Sequence, residues 1–248
     1  MRIVWMMLLL CHCSWAEWTR VVSTVYGESR DSAAPRPLEY FQLDALLRDD
    51  RAAEMCARCS VAEKVAMRKK YGVEARVRVV GEVGGVTISD VWNCPVGEAD
   101  EKCGAKSIVA RTKEGYREIL YTTLRQMDGR LNASFVANAG KERVLGSRDF
   151  VGGNRGIHVE HYFWFDAEGA RLMDLSPVWE AAKSVVLPGG LRLYGADFGG
   201  PRSFPAGRVR VPLREIGAAL CCAEGGVEVD FRLERGRLIP TGKRFVAK

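Results

Sequence analysis

The chain has 248 residues, 47% of them hydrophobic and 27% charged, with a formal net charge of +6. That composition supplies apolar material for a substantial core and fits neither collagen-like nor low-complexity disordered chains. The positive excess is small and scattered, in groups such as Arg68-Lys69-Lys70 and Lys243-Arg244. It reads as a solvated face, so no nucleic-acid partner is expected.

Residues 1–16 read as an export signal. Arg2 gives a charged start, Ile3–Leu10 is an unbroken apolar run, and Ser14-Trp15-Ala16 offers small residues for cleavage after Ala16. Cys11 and Cys13 raise the alternative of a lipid-anchored amino terminus. No later stretch approaches the ~20 apolar residues of a membrane helix, so no transmembrane segment is expected in the mature chain. An exported protein, periplasmic or extracellular, is the expectation. Loss of Arg2 with the signal lowers the formal charge by one, to +5.

Cysteine usage agrees with export. Six cysteines follow the signal: Cys56, Cys59, Cys94, Cys103, Cys221 and Cys222. All six are disulfide candidates, and six cysteines allow 15 connectivities. Cys94 and Cys103 bracket a polar loop with Pro95 and Gly97, where a bridge would close a flexible tip. Cys56-Ala57-Arg58-Cys59 sits late in a helical pattern, which favours a structural over a redox role, and Cys221-Cys222 would supply partners for it.

Residues 17–37 form an extended leader. WTRVVSTVY alternates weakly, as an edge strand would, and GESRDSAAPRP reads as a loop. Residues 38–72 are the helical part. Leu38, Phe41, Ala45 and Leu46 mark one helical face, and a second helical pattern runs from about Arg51 to Tyr71. Ser60 with Glu63 forms a capping box inside that second segment, and Gly72 stops it. From Val73 the period becomes two: Val73, Ala75, Val77 and Val79 point to one face, Glu74, Arg76 and Arg78 to the other. Strands follow in VGGVTISDVW, SIVAR, REILYTTLR and RLNASFVAN, and 140–156 reads as loop-rich. IHVEHYFWF and ARLMDL make a hairpin about Asp166–Gly169. Ser176-Pro177 opens a short helix, VRVPLREIGAALCC passes from strand to helix, and VEVDFRLE with GRLIPTGKRFV closes the chain as a second hairpin. The two hairpins share a pattern, Phe165-x-x-Glu168-x-x-Arg171-Leu172-Met173 and Phe231-x-x-Glu234-x-x-Arg237-Leu238-Ile239, which common turn chemistry explains better than duplication. The expected fold is a single α+β domain over 38–248. Its helical segment packs on a mostly antiparallel twisted sheet over 73–248, completed by C-terminal β-hairpins.

Chemistry concentrates in 150–177. After the signal only two histidines remain, His158 and His161, and strand alternation sends them to opposite faces. His158 goes with Glu160 and Tyr162; His161 goes with Val159, Phe163 and Phe165. No spacing matches a metal site, and neither a phosphate-binding glycine loop nor a G-x-S-x-G elbow occurs, so no metal or cofactor is expected. Asn132-Ala133-Ser134 fits a glycosylation sequon, relevant only in a eukaryotic secretory host. Tyr162–Phe165 reads as a strand buried on both sides. His158 on one strand and Asp174 on the next resemble the His…Asp hairpin of transglutaminase-like cysteine hydrolases. That resemblance implies Cys103 as the nucleophile, activated by His158 and oriented by Asp174.

Three functional classes result. The leading one is a non-enzymatic exported protein that binds a ligand or an envelope protein partner on the face of Glu160, Tyr162 and Trp164. The second is a cysteine hydrolase using Cys103, His158 and Asp174. The third is a structural or assembly component without a small-molecule site.

Overall fold

A computed structural model describes residues 18–24, 27–47, 58–97, 104, 106–122, 134–139, 142–151, 157–166, 169–193, 206–215 and 225–247. The expected export signal, Cys11 and Cys13, the 98–103 loop tip and the sequon asparagine lie outside these residues, as do Cys56, Cys103, Cys221 and Cys222.

The strands are β1 (Thr19–Thr24), β2 (Gly27–Ser32), β3 (Pro35–Arg36), β4 (Val73–Val83), β5 (Val86–Pro95), β6 (Lys106–Thr112), β7 (Gly115–Thr122), β8 (Ser134–Ala139), β9 (Glu142–Val151), β10 (Ile157–Asp166), β11 (Gly169–Leu172), β12 (Leu191–Leu193), β13 (Arg208–Glu215), β14 (Gly225–Glu234) and β15 (Arg237–Ala247). The described helices are α1 (Leu38–Leu47), α2 (Val61–Lys70) and α3 (Ser176–Lys183). The strands form three sheets. The first runs β2-β1-β7-β6-β5-β4, with β3 paired beside β7; the second runs β11-β10-β9-β8; the third runs β12-β13-β14-β15.

This corrects the expected fold class. A helical segment on one twisted sheet is not what forms: the described chain is mostly strand, in several sheets. The physical reason lies in β10. Tyr162 and Trp164 enter a core with Val209, Val211, Val229 and Phe231 of the third sheet and Val178 of α3. Phe163 and Phe165, on the other face, enter a core with Val21, Ile88, Ile108 and Leu120 of the first sheet. A strand apolar on both faces needs a layer on each side, and each fully buried Phe contributes roughly 2–3 kcal/mol from apolar area alone. The middle sheet is therefore covered twice.

Most local patterns form as their residues direct. In α2 the Ser60 hydroxyl accepts from the Glu63 N–H at 3.4 Å, and the Glu63 carboxylate accepts from the Ser60 N–H at 2.8 Å, which is the capping box. Gly72, at φ +69°, lets the chain turn off the helix. Three stretches differ from expectation. GESRDSAAPRP supplies β2 and β3, because register with β1 and β7 satisfies its backbone. Strand β1 lies between β2 and β7, running parallel to β7, and is not an edge. Residues 142–151, within the stretch expected to be loop, form β9, where Val144 and Leu145 alternate between the two cores.

The alternation in β4 is real, but its burial is not as expected. Val77 and Val79 pair with Val91 and Ser89 on the face that α1 covers, yet they are 39% and 62% exposed. Ten helical residues extend about 15 Å, while an eleven-residue strand extends about 36 Å. Helix α1 buries Phe41 and Ala45 against Val91 and Val109 and leaves part of the edge strand bare.

Candidate functional site

The second and third sheets do not close completely against each other. Between β11 and the β14–β15 hairpin lies a cleft of about 650 Å³. Its apolar lining includes Trp164, Leu172, Met173 and Leu238, and its polar lining is Arg171, Asp174, Arg235 and Arg237. The shared sequence pattern meets here: Arg171-Leu172-Met173 and Arg237-Leu238-Ile239 both line the cleft. The two hairpins are nonetheless different. One pairs Asp166 with Gly169; the other pairs Glu234 with Arg237, so its turn is 235–236. Matching the patterns would instead put Arg232 and Arg235 at the positions of Asp166 and Gly169, two earlier than the pair that forms.

The 235–236 turn shapes the cleft. Arg235 has φ +47° and Gly236 φ +72°, the backbone of a two-residue primed turn. Arg235 is the only described non-glycine residue with positive φ. Left-handed backbone at a residue with a β-carbon costs about 1–2 kcal/mol, so this turn favours Asn or Gly at that position. The Arg235 side chain is exposed at the lip of the cleft, and so is that of Arg237. Neither makes a hydrogen bond or ion pair among the described residues. Arg171 instead bonds Asp166 and stacks over the Trp164 ring at 4.7 Å.

A second cavity, about 290 Å³, adjoins the first, and Leu172, Met173 and Asp174 line both. Its other walls include Glu28, Arg30, Glu160, His161, Tyr162 and Trp179. His161 is 2% exposed and its Nε2 lies 3.0 Å from the Glu28 carboxylate. Glu28 also accepts from Arg30 Nε at 2.8 Å. The hydrogen bond from His161, with that from Arg30 and the positive charges of both, holds the Glu28 carboxyl down to about 2 against a desolvation cost that works the other way. His161 Nδ1 is buried without a hydrogen-bond partner. Glu160 accepts from the Tyr162 hydroxyl at 3.2 Å. Asp174 accepts from the Ser176 N–H at 2.9 Å, and its carboxyl is lowered by the hydrogen bonds from Ser176 and, less, by the charge of Arg30.

The expected binding residues Glu160, Tyr162 and Trp164 thus border cavities: the first two line the smaller, Trp164 the larger. Tyr162 and Trp164 are 2% and 7% exposed, so they form floor more than surface. The expected His158–Asp174 pairing is not what the register brings level. Phe163 stands opposite Leu172, and Met173 N–H donates to Tyr162 O, which sets Asp174 level with His161. His158 pairs with Phe150 on β9, and Cys103 lies outside the described residues. Cys94 is fully buried.

Sequence reasoning missed Glu28 and Arg30, because GESRDSAAPRP carries turn residues and no apolar alternation. It passed over Arg235, although an Arg-Gly pair between alternating strands is a turn signal that places an arginine at a tip. Among the described residues no group of three or more His, Cys, Asp and Glu is arranged to hold a metal ion, and no described helix is long and apolar enough to cross a membrane. No protein-family model matches the chain, and no curated protein matches it.

Proposed function

We propose that the protein is an exported, non-enzymatic binding protein whose site is the cleft between β11 and the β14–β15 turn. The observation that carries this reading is the cleft's chemistry: an apolar floor at Trp164, Met173 and Leu238 beneath an arginine lip at Arg235 and Arg237. A volume of about 650 Å³ falls within the range of roughly 300–1,000 Å³ common to small-molecule sites. Guanidinium groups over an apolar floor select a ligand with an anionic group and an apolar body. The strained backbone at Arg235 supports the same reading, since Gly there would relieve strain but remove a cation from the lip.

The test is a fluorescence titration with anilinonaphthalene sulfonate, an anionic aromatic probe. A saturable single site is expected. The R235A/R237A double variant is expected to bind roughly 10-fold or more weakly, as losing a charge-assisted hydrogen bond of about 1.5–3 kcal/mol requires. Equal affinity of the two proteins would show that the arginine lip is not the recognition element.

A further inference from the structure

The outer face of the third sheet gathers positive charge that is scattered along the sequence. Val209 and Val211 of β13, Val227 and Val229 of β14 and Leu238 of β15 point into the core, so their neighbours along each strand point away from it. Among the described residues that outer face carries six arginines, Arg192, Arg208, Arg210, Arg232, Arg237 and Arg244, against three carboxylates, Glu228, Asp230 and Glu234. The carboxylates are already neutralised. Arg208 Nε lies 2.5 Å from Asp230, Arg244 bonds both Asp230 and Glu228, and Arg232 lies 3.1 Å from Glu234. Arg192, Arg210 and Arg237 are exposed and make no hydrogen bond or ion pair among the described residues. Arg210 is also held along the sheet: a β-carbon on Gly226 would stand 2.7 Å from its Nε, so the glycine leaves it room. Helix α3 packs on the opposite, inner face through Val178 and Ala182.

The cleft opens onto this face. Arg237 and Ile239 flank Leu238 in sequence and so stand on the outer side of β15, yet both line the cleft, which therefore reaches round the edge strand. A partner that fits the whole face presents many anionic groups in a plane, with apolar material directly beneath them. A bilayer containing anionic lipids has that structure, whereas a soluble polyanion matches the arginines alone. The dimensions agree: four strands span about 14 Å and a ten-residue strand about 33 Å, the footprint of several headgroups. We infer that the outer face of the third sheet docks on an anionic lipid membrane. Arg192, Arg210 and Arg237 bind headgroup phosphates, for which the planar guanidinium is suited through paired hydrogen bonds, and the mouth of the cleft faces the lipid. The inference goes beyond the cleft reading, and of these three arginines Arg237 alone lines the cleft.

Co-sedimentation of the mature protein with two kinds of vesicle tests this: phosphatidylcholine alone, and an equimolar mixture of phosphatidylcholine with phosphatidylglycerol. Binding to the mixed vesicles only is expected, with release as salt screens the attraction. The R192S/R210S variant is expected to partition onto the mixed vesicles about 25-fold more weakly, roughly 5-fold for each arginine near an anionic surface. Its thermal midpoint and its titration with anilinonaphthalene sulfonate are expected to match the parent, since neither residue lines the cleft. Equal binding to both kinds of vesicle, or equal partition of parent and variant, overturns the membrane reading and leaves the cleft reading standing. Binding to a DNA duplex at the same salt, with no binding to either vesicle, assigns the face to a soluble polyanion and equally overturns it.

Discussion

Gly236 lies directly against the indole of Trp164: a β-carbon built on the glycine would sit 2.5 Å from Trp164 Cδ2 and Cε3. The tip of the β14–β15 hairpin therefore docks on a side chain of the second sheet, and Trp164 fixes one wall of the cleft. Any side chain here must displace a large buried ring and also adopt φ +72°. G236A is expected to lose about 2–4 kcal/mol, combining overpacking of 1–3 kcal/mol with left-handed strain. Urea unfolding checks this, and a loss below 0.5 kcal/mol would show that the turn is not seated on the ring.

Arg235 carries the opposite expectation. R235G relieves left-handed strain and is expected to stabilise the protein by about 1 kcal/mol, raising the thermal midpoint by roughly 2–4 °C for a chain of this size. The same variant is expected to bind anionic probes more weakly. A protein both less stable and equally competent to bind would contradict the account of why an arginine occupies this turn.

The Glu28–His161 contact sets a pH window. The Glu28 carboxyl falls from 4.5 to about 2 on folding, so the unfolded chain binds its proton first as pH drops. Its stabilisation is complete above about pH 5 and is lost as pH falls through 4.5 toward 2. The Glu28 side chain is 32% exposed, so solvent screening leaves about 1 kcal/mol. E28Q is expected to flatten the stability profile between pH 5 and 2 while changing its shape above pH 5 little, measured by urea midpoints across pH. An acid limb of unchanged slope in E28Q would assign the loss to other carboxylates.

Phe163 is fully buried between the first and second sheets. F163A is expected to cost about 3–5 kcal/mol, the range for removing a core aromatic. By contrast S60A, at an exposed helix cap, is expected to cost about 1 kcal/mol, recovered by S60D. Chemical denaturation of the three variants distinguishes the two scales.

What the residues disclose in advance divides along physical lines. Local signals were legible: the capping box at Ser60, the stop at Gly72, the strand alternation from Val73, the hairpins about Asp166 and Glu234. These depend on neighbours in sequence. Buriedness of Tyr162–Phe165 on both faces was also legible, and it implied more layers than one sheet supplies. The arrangement of three sheets was not, because strand pairing such as β1 with β7 joins residues about a hundred positions apart. The same limit hid the candidate site. His161 was visible, but its partner Glu28 comes from 133 residues earlier, in a stretch whose Gly, Ser, Asp and Pro content reads as loop. Asp174 was singled out with His158, whereas the register of β10 and β11 sets it level with His161, and that register is not written in the residues next to it.

Strand β10 gives one side to each of two apolar interfaces, and this bears on what any piece of the chain is able to do. Removing either the first or the third sheet would strip one face of the middle one and present Phe163 and Phe165, or Tyr162 and Trp164, to water. A contiguous apolar face of that kind recruits other chains. The described layers are therefore mutually obligate, and fragments that omit one are expected to aggregate. The cleft, whose lining includes Trp164 of the same strand, exists only in the whole assembly of sheets.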